Sequence, residues 1–147
     1  MYCRLTLDHN AIHATDVLHC IQYFTLQSKL ADVFTDIDLL AMYTGAAIHD
    51  VGHPGLNNHF LISTQHSLST LYNDKSVLEN HHCATAFGLL QDDANNFARD
   101  MDPTDYKILR TKIVDMVLAT DLGQHFQLLT AFKTSVLEVD PDRKRYI

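Results

Sequence analysis

Two short stretches of this sequence combine histidine and aspartate at spacings that suit a metal site. His49 and Asp50 are adjacent at the end of a predicted helix, and His9 and His13 lie four positions apart near the start of an earlier one. A neutral imidazole nitrogen binds a divalent ion, and a neighbouring carboxylate can bind the same ion and bridge to a second. Together the two motifs predict a dinuclear metal hydrolase.

Each motif also has a purely structural interpretation. His9 and His13 share one helix face, where they could pack with local hydrogen bonds, and His49 could interact with the negative end of a helix dipole. That second interpretation leaves Asp50 unfavourably placed, as an anion at the same negative end. A bound cation removes the conflict. The spacing of the first pair also allows one histidine to ligate metal while the other faces a substrate as an acid.

Polar residues further along the chain could complete such a site. His53 and Asn58 extend the polar set through a loop rich in glycine and proline, where the backbone can approach a ligand closely. Glu79 is also the predicted partner of Ser76 in a capping box, a structural role that does not exclude a second one. Asp121 follows an apolar helix, and taken alone it is typical of an ordinary turn.

Composition limits the class of protein. The 147 residues are 46% hydrophobic and 20% charged, which predicts one globular domain. The net charge of −7 makes a nonspecific nucleic-acid surface unfavourable, so we expect no nucleic-acid partner. Three cysteines without paired spacing favour free thiols in a reducing compartment. With no signal peptide or long apolar run in the sequence, we expect a cytoplasmic protein without a transmembrane segment.

The spacing of apolar residues is helical almost throughout, which predicts an all-α fold. Asp36, Ser76 with Glu79, and Asp102 before Pro103 are the predicted helix starts with the clearest caps. The predicted helices cover approximately residues 8–30, 36–49, 58–62, 67–72, 76–90, 103–118 and 124–136, and another begins after Asp140–Pro141. The sequence stops as this last helix begins, so we expect a truncated chain.

The order and intervals of these motifs resemble the catalytic domain of class I cyclic-nucleotide phosphodiesterases, a branch of the metal-dependent HD hydrolases. The similarity extends over nearly the whole chain, with matching stretches at His9–Val17, His49–Asn58, Phe60–Ile62, Tyr72–His82 and Leu118–Asp121. It implies a compact multi-helix fold in which residues 1–147 form part of the catalytic domain. Two departures are Asp8, where an aromatic residue is common, and Gly52, where many members have a further aspartate.

The resemblance also implies a role for each matching residue. His9 matches the general acid that contacts the substrate and protonates the leaving ribose oxygen. His13, His49 and Asp50 match three ligands of a tightly held ion, usually zinc. Asp50 also matches the substrate contact and bridge to a second ion, usually magnesium or manganese. The polar shell around the second ion's water molecules and the phosphate is matched by His53, Asn58, Glu79, Thr120 and Asp121.

The implied activity is hydrolysis of the 3′ phosphoester bond of cyclic AMP or cyclic GMP to a 5′-nucleoside monophosphate in signal transduction, and the complete protein could be a homodimer. The family's last metal-binding aspartate and its purine-binding residues lie beyond the position of Ile147. We therefore expect a domain truncated at both ends, with the zinc site one ligand short.

Two alternatives remain. One is another HD-type nucleotide phosphohydrolase. The matches at Phe60–Ile62 and Leu78–His82 favour the cyclic-nucleotide phosphodiesterases over this alternative. The other is a catalytically incompetent fragment that binds metal weakly or pairs with a full-length partner.

Overall fold

The computed structural model describes residues 9–27 and 33–139, and every regular element in those ranges is helical. The all-α prediction is therefore confirmed. The helices are α1 (Ala11–Thr25), α2 (Asp36–Ile48), α3 (Asn58–Ser63), α4 (Ser67–Leu71), α5 (Val77–Leu89), α6 (Pro103–Leu118) and α7 (His125–Val139). A short 3-10 turn, Leu122–Gln124, precedes α7. The predicted helix after Asp140–Pro141 lies outside the described residues.

Asn10 caps the first helix, two residues after the predicted start near residue 8. Oδ1 of Asn10 accepts hydrogen bonds from the backbone N–H groups of Ile12 at 2.8 Å and His13 at 3.2 Å. These are donors that the first turn of a helix leaves without partners. The helix ends at Thr25, so the predicted extension to residue 30 is too long.

The start of α2 lies one residue from the predicted cap. Oγ1 of Thr35 accepts from the N–H of Asp38 at 3.2 Å, and Oδ2 of Asp38 accepts from the N–H of Thr35 at 2.9 Å. This reciprocal pair is a capping box. The prediction of Asp36 as the N-cap was therefore wrong, because the carboxylate that completes the box must lie three residues after the cap.

The predicted capping box between Ser76 and Glu79 is also wrong. Ser76 adopts a left-handed conformation, with φ 41° and ψ 54°, and its side chain makes no cap hydrogen bond. Its hydroxyl instead donates to Oδ2 of Asp121 at 2.7 Å. The backbone N–H of Leu78, in the first turn of α5, donates to a residue of another helix, to Oδ1 of Asn58 at 2.9 Å. Tertiary partners have replaced the local ones.

The core lies where α2, α5 and α6 meet, and α1 also packs against α2. Its buried members are Ala41, Cys83, Leu109, Ile113 and Val117. A second buried cluster of Leu61, Val77 and Leu78 joins α3 to the start of α5. Because α5 contributes to both clusters, it is held firmly along its length.

The last described helix differs from the others in its packing. Among the described residues, α7 packs only against the 3-10 turn, and its Phe126 and Phe132 are 78% and 64% exposed. No helix in the described ranges is both long and apolar enough to cross a lipid bilayer.

Truncating a core residue of α6 gives a direct test of this packing. Ile113 is fully buried, so Ile113→Ala should lower the free energy of unfolding by about 2–5 kcal/mol through lost burial and a residual cavity. Ile108, on the same helix, is 40% exposed, and Ile108→Ala should cost about 1 kcal/mol or less. Urea denaturation followed by circular dichroism measures both. Equal losses would contradict the described orientation of α6.

Candidate metal centre

The two histidine motifs meet at the end of α2, where the carboxylate of Asp50 lies among three imidazole rings. Its Oδ2 atom is 2.8 Å from Nδ1 of His9 and 3.3 Å from Nε2 of both His13 and His49. Asn10 begins α1 so that His13 lies in its first turn, and α1 packs against α2. The structure thus brings together the four residues predicted to be at the centre.

Three of these atoms form a nearly equilateral triangle. Nε2 of His13 is 3.1 Å from Nε2 of His49, and each is 3.3 Å from Oδ2 of Asp50. Ligands about 2.0–2.2 Å from a tetrahedral zinc ion lie about 3.3–3.6 Å apart. Ligands in an octahedral magnesium site are about 2.8–3.0 Å apart. The observed separations fall at or between these values, so the donor set fits a small divalent ion.

The position of the hydrogen on the His49 ring suits a metal ligand. Its Nδ1 lies 2.9 Å from the carbonyl oxygen of Ala46, which only accepts hydrogen bonds, so Nδ1 carries the hydrogen. In the neutral ring, Nε2 then has a lone pair directed to the triangle. Burial by itself lowers the pKa of His49, but hydrogen bonds to Asp50 and Ala46 outweigh it and the pKa is raised. Protons therefore compete with a metal ion for this ring near neutral pH.

Asp50 is largely buried, with 9% of its surface exposed. Burial by itself raises the pKa of its carboxyl, but hydrogen bonds from His49 and His9 more than offset this, and the pKa lies well below its usual range. The side chain is therefore an anion at neutral pH. A cation bound at this carboxylate would compensate its unfavourable position after the carboxyl end of α2.

His53 lies beside the triangle but has a different hydrogen-bonding pattern. Its ring stacks on that of His9, with centroids 3.7 Å apart and planes 8° from parallel. Its Nδ1 accepts from the N–H of Gly55 at 3.0 Å, so the hydrogen of the neutral ring is on Nε2. Burial and the charge of His9 lower the pKa of His53, which favours that neutral form. His9, Asp50 and His53 are close enough to group around a cation, but this tautomer makes His53 a donor instead of a ligand.

The loop that carries His53 depends on its glycines. Gly52 and Gly55 have φ angles of 72° and 78°, a left-handed conformation that other residues rarely adopt. Asn57 then caps α3 by accepting from the N–H of Phe60 at 2.8 Å. The turn thus places His53 next to His9 and begins α3 at Asn58.

Half-buried Asn58 and buried Glu79 form a hydrogen-bonded pair that also lines the cavity. Nδ2 of Asn58 donates to Oε2 of Glu79 at 2.9 Å, and Oδ1 of Asn58 accepts from the N–H of Leu78, which fixes the amide orientation. Burial raises the pKa of Glu79, although the hydrogen bond from Asn58 opposes the effect. This pair directs a carboxylate towards the cavity that contains Asp50.

Thr120 and Asp121 follow α6 and also line the cavity. The hydroxyl of Thr120 donates to the carbonyl of Val117 at 2.7 Å, so only its lone pairs remain for another partner. The carboxylate of Asp121 accepts from Ser76 and, at 2.9 Å, from the N–H of Gly123. These bonds tie both residues to the end of α6 and to the start of α5.

All nine residues predicted for the site line one open cavity of about 1400 Å³. Its apolar lining includes Val17, Ile21, Phe34, Met42 and Met116. The volume exceeds the roughly 300–1000 Å³ of most small-molecule sites. A nucleotide-sized molecule therefore has room beside the acidic and histidine cluster.

His82, for which the sequence predicts no role, also lines this site. Its ring is only 2% exposed, its Nε2 lies 3.9 Å from Oδ1 of Asp50, and its Nδ1 lies 2.8 Å from the carbonyl of Val51. Burial lowers the pKa of His82 to about 4, so the ring is neutral. The sequence contains one indication that His82 lies near the site, because His82 follows Glu79 by three positions and must share its helix face.

The chain is similar to proteins of one known family. The profile of the 3'5'-cyclic nucleotide phosphodiesterase family matches residues 8–145. The chain is 44% identical over 129 residues to the mouse (Mus musculus) high affinity cAMP-specific and IBMX-insensitive 3',5'-cyclic phosphodiesterase 8A, covering 87% of this chain and 16% of that protein. It is 45% identical over 128 residues to the rat (Rattus norvegicus) 3',5'-cyclic-AMP phosphodiesterase 4C, covering 87% and 24%. The chain thus spans less than a quarter of the length of both relatives.

A solved structure has the same fold. The phosphodiesterase domain of the RhoPDE fusion protein from the choanoflagellate Salpingoeca rosetta matches with a TM-score of 0.86 and 35% sequence identity. The match covers 90% of this chain and 41% of that one. With a family profile matched over nearly its whole length, this chain belongs to the 3'5'-cyclic nucleotide phosphodiesterase family.

Proposed function

We propose that this chain is part of a phosphodiesterase that hydrolyses the 3′ phosphoester bond of a cyclic nucleotide and releases a 5′-nucleoside monophosphate. The observation that carries the proposal is the convergence of His13, His49 and Asp50 within 3.3 Å of one another, beside His9. We propose cyclic AMP as the first substrate to test, because the mouse and rat relatives are named for it. Cyclic GMP is the second.

The metal ions would be held by the residues at the centre. His13, His49 and Asp50 would ligate one divalent ion, proposed to be zinc, and Asp50 would also reach a second, magnesium or manganese. Bound ions of this kind lower the pKa of coordinated water towards about 7 and offset negative charge on the phosphate. That neutralisation matters in a chain with a net charge of −7.

His9 is the proposed general acid. Its Nδ1–H donates to the ionised Asp50, so the second ring nitrogen is the one from which a proton can be transferred. The hydrogen bond to Asp50 fixes one edge of the imidazole, and stacking on His53 fixes the plane of the ring. The departing ribose 3′ oxygen is a poor leaving group as an alkoxide and needs that proton.

The polar residues around the metal ligands are proposed to orient water and phosphate. They are His53, Asn58, Glu79, Thr120 and Asp121. His53 has a hydrogen to donate from Nε2, while Glu79 and Thr120 have oxygen atoms with which to accept. Asn58 and Asp121 would act by fixing their neighbours, as their hydrogen bonds to Glu79 and Ser76 indicate. A cytoplasmic location is also proposed, and the free thiols of Cys20 and Cys83 suit a reducing compartment.

Product analysis with controlled metal content tests the proposal. The complete protein that contains this chain, supplied with zinc and magnesium, should convert cyclic AMP to 5′-AMP, and chelation should stop the reaction. His13→Ala should lose zinc and turnover together, whereas His19→Ala, an exposed histidine of the same helix, should lose neither. Chromatography separates 5′-AMP from 3′-AMP. The 3′ product, or turnover that resists chelation, would overturn the proposal, and zinc binding without turnover would support a noncatalytic metal-binding module.

A further inference from the structure

Two consecutive histidines of α5 hold two consecutive carbonyl groups of the loop after Asp50. Nδ1 of His82 lies 2.8 Å from the carbonyl oxygen of Val51, and Nε2 of His81 lies 3.2 Å from that of Gly52. Carbonyl oxygens only accept, so each of these ring nitrogens carries a hydrogen and donates it. The two rings therefore use opposite nitrogens on adjacent backbone groups.

We propose that His81 and His82 are positioning residues that hold the backbone after Asp50, and through it the Asp50 carboxylate, in the geometry that binds metal. We refer to this pair of hydrogen bonds as the histidine clamp. The inference rests on the proposed function only in requiring a divalent ion at His13, His49 and Asp50.

The clamp is anchored in the rigid part of the fold. The helix that carries both histidines has Val77, Leu78 and Cys83 buried in the two apolar clusters, at 0%, 5% and 7% exposure. The loop that carries Asp50, in contrast, turns through a glycine and a proline soon after the helix end. Ligands keep a precise geometry when donors on packed elements fix their backbone.

The backbone at Gly52 shows how closely His81 covers the loop. Its φ of 72° is left-handed, and a Cβ atom there would lie 3.3 Å from Nε2 of His81 and 3.5 Å from the side chain of Thr85. A glycine has no side chain with which to resist relaxation of this turn. The hydrogen bond from His81 supplies the missing restraint.

The second ring nitrogen of His82, Nε2, does not hydrogen-bond to the carboxylate of Asp50. Because the hydrogen is on Nδ1, Nε2 has a lone pair, and it lies 3.9 Å from Oδ1 of Asp50. Two acceptors cannot hydrogen-bond to each other, so His82 does not pull Asp50 away from its partners. The ring positions Asp50 through the backbone and not through the carboxylate.

Crossed asparagine and glutamine substitutions test the clamp. The amide nitrogen of Asn occupies about the position of His Nδ1, and that of Gln about the position of His Nε2. His82→Asn and His81→Gln should therefore keep zinc affinity close to that of the unsubstituted chain. His82→Gln and His81→Asn should weaken it about 10–100-fold, the usual effect of losing a group that supports a metal ligand. Competition with a chromophoric chelator measures the affinity for zinc.

The outcomes separate this inference from the proposed function. His19→Asn and His19→Gln, on an exposed face of α1, are matched controls that should leave zinc affinity unchanged. If the unsubstituted chain binds no zinc, the proposed metal centre fails and the clamp with it. If it binds zinc but Asn and Gln act equally at His81 and His82, the clamp alone is overturned. Unchanged circular dichroism shows that a weakened variant is folded.

Discussion

Replacing Asp50 with alanine should abolish zinc binding and turnover together. Its Oδ2 atom is the one oxygen in the triangle with His13 and His49, and its low pKa keeps it ionised at neutral pH. Removing an outer group that merely supports a ligand costs about 10–100-fold in metal affinity, so the loss of a ligand should exceed about 100-fold. Zinc content after dialysis, measured with the rate of cyclic AMP hydrolysis, checks this.

Asp50→Asn tests how much the negative charge of Asp50, as distinct from the shape of its side chain, contributes to zinc binding and turnover. The amide is nearly isosteric and can still accept a hydrogen bond from His9, but it lacks the negative charge that binds a divalent ion. We expect it to fail almost as completely as Asp50→Ala. Asp93→Asn, at an exposed carboxylate in the loop before α6, is the matched control and should change neither quantity. Full zinc content in Asp50→Asn would contradict the assignment of Asp50 as a ligand.

Replacing His9 with alanine should reduce turnover about 10²–10⁴-fold, the usual contribution of a general acid, while zinc content stays the same. His9 contacts Asp50 through Nδ1 at 2.8 Å, but it is not one of the three atoms of the triangle. The role of His9 and that of the ligands are therefore separable. Steady-state kinetics and metal analysis of the same preparation measure the two effects.

The leaving group provides a sharper check on His9. An aryl phosphodiester such as bis(p-nitrophenyl) phosphate releases a stabilised phenolate that needs no proton. His9→Ala should therefore cleave it almost as fast as the unsubstituted chain, while its hydrolysis of cyclic AMP remains slow. Equal losses with both substrates would show that His9 acts in binding or in folding and not as an acid.

The helix starts show where local sequence patterns succeed. Asp102 before Pro103 was predicted to begin α6, and its Oδ1 accepts from the N–H of Thr104 at 2.8 Å. Both partners lie within one turn, so the chain contains everything needed to form the cap. Thr35 and Asp38 form an equally local box, and the prediction missed it by one residue only because Asp36 is also a favourable capping residue.

The start of α5 shows where such patterns fail. Ser76 and Glu79 have the spacing of a capping box, yet Ser76 bonds to Asp121 and Glu79 bonds to Asn58. A cap contributes only about 1 kcal/mol, which a pair of tertiary hydrogen bonds can outweigh. No window of neighbouring residues contains those partners, so the sequence pattern alone could not reveal the exchange.

Sequence patterns were sufficient to predict the helical periodicity, the shared face of His9 and His13, and the resemblance that implies the metal ligands. These depend on spacing along the chain, which folding does not change. Folding of the chain brings three imidazoles to one oxygen of Asp50, and it sets which nitrogen carries the hydrogen in the rings of His9 and His49. For His81 and His82 that choice is made by carbonyl groups 29 and 31 residues away, brought within reach by the packing of α5 on the core.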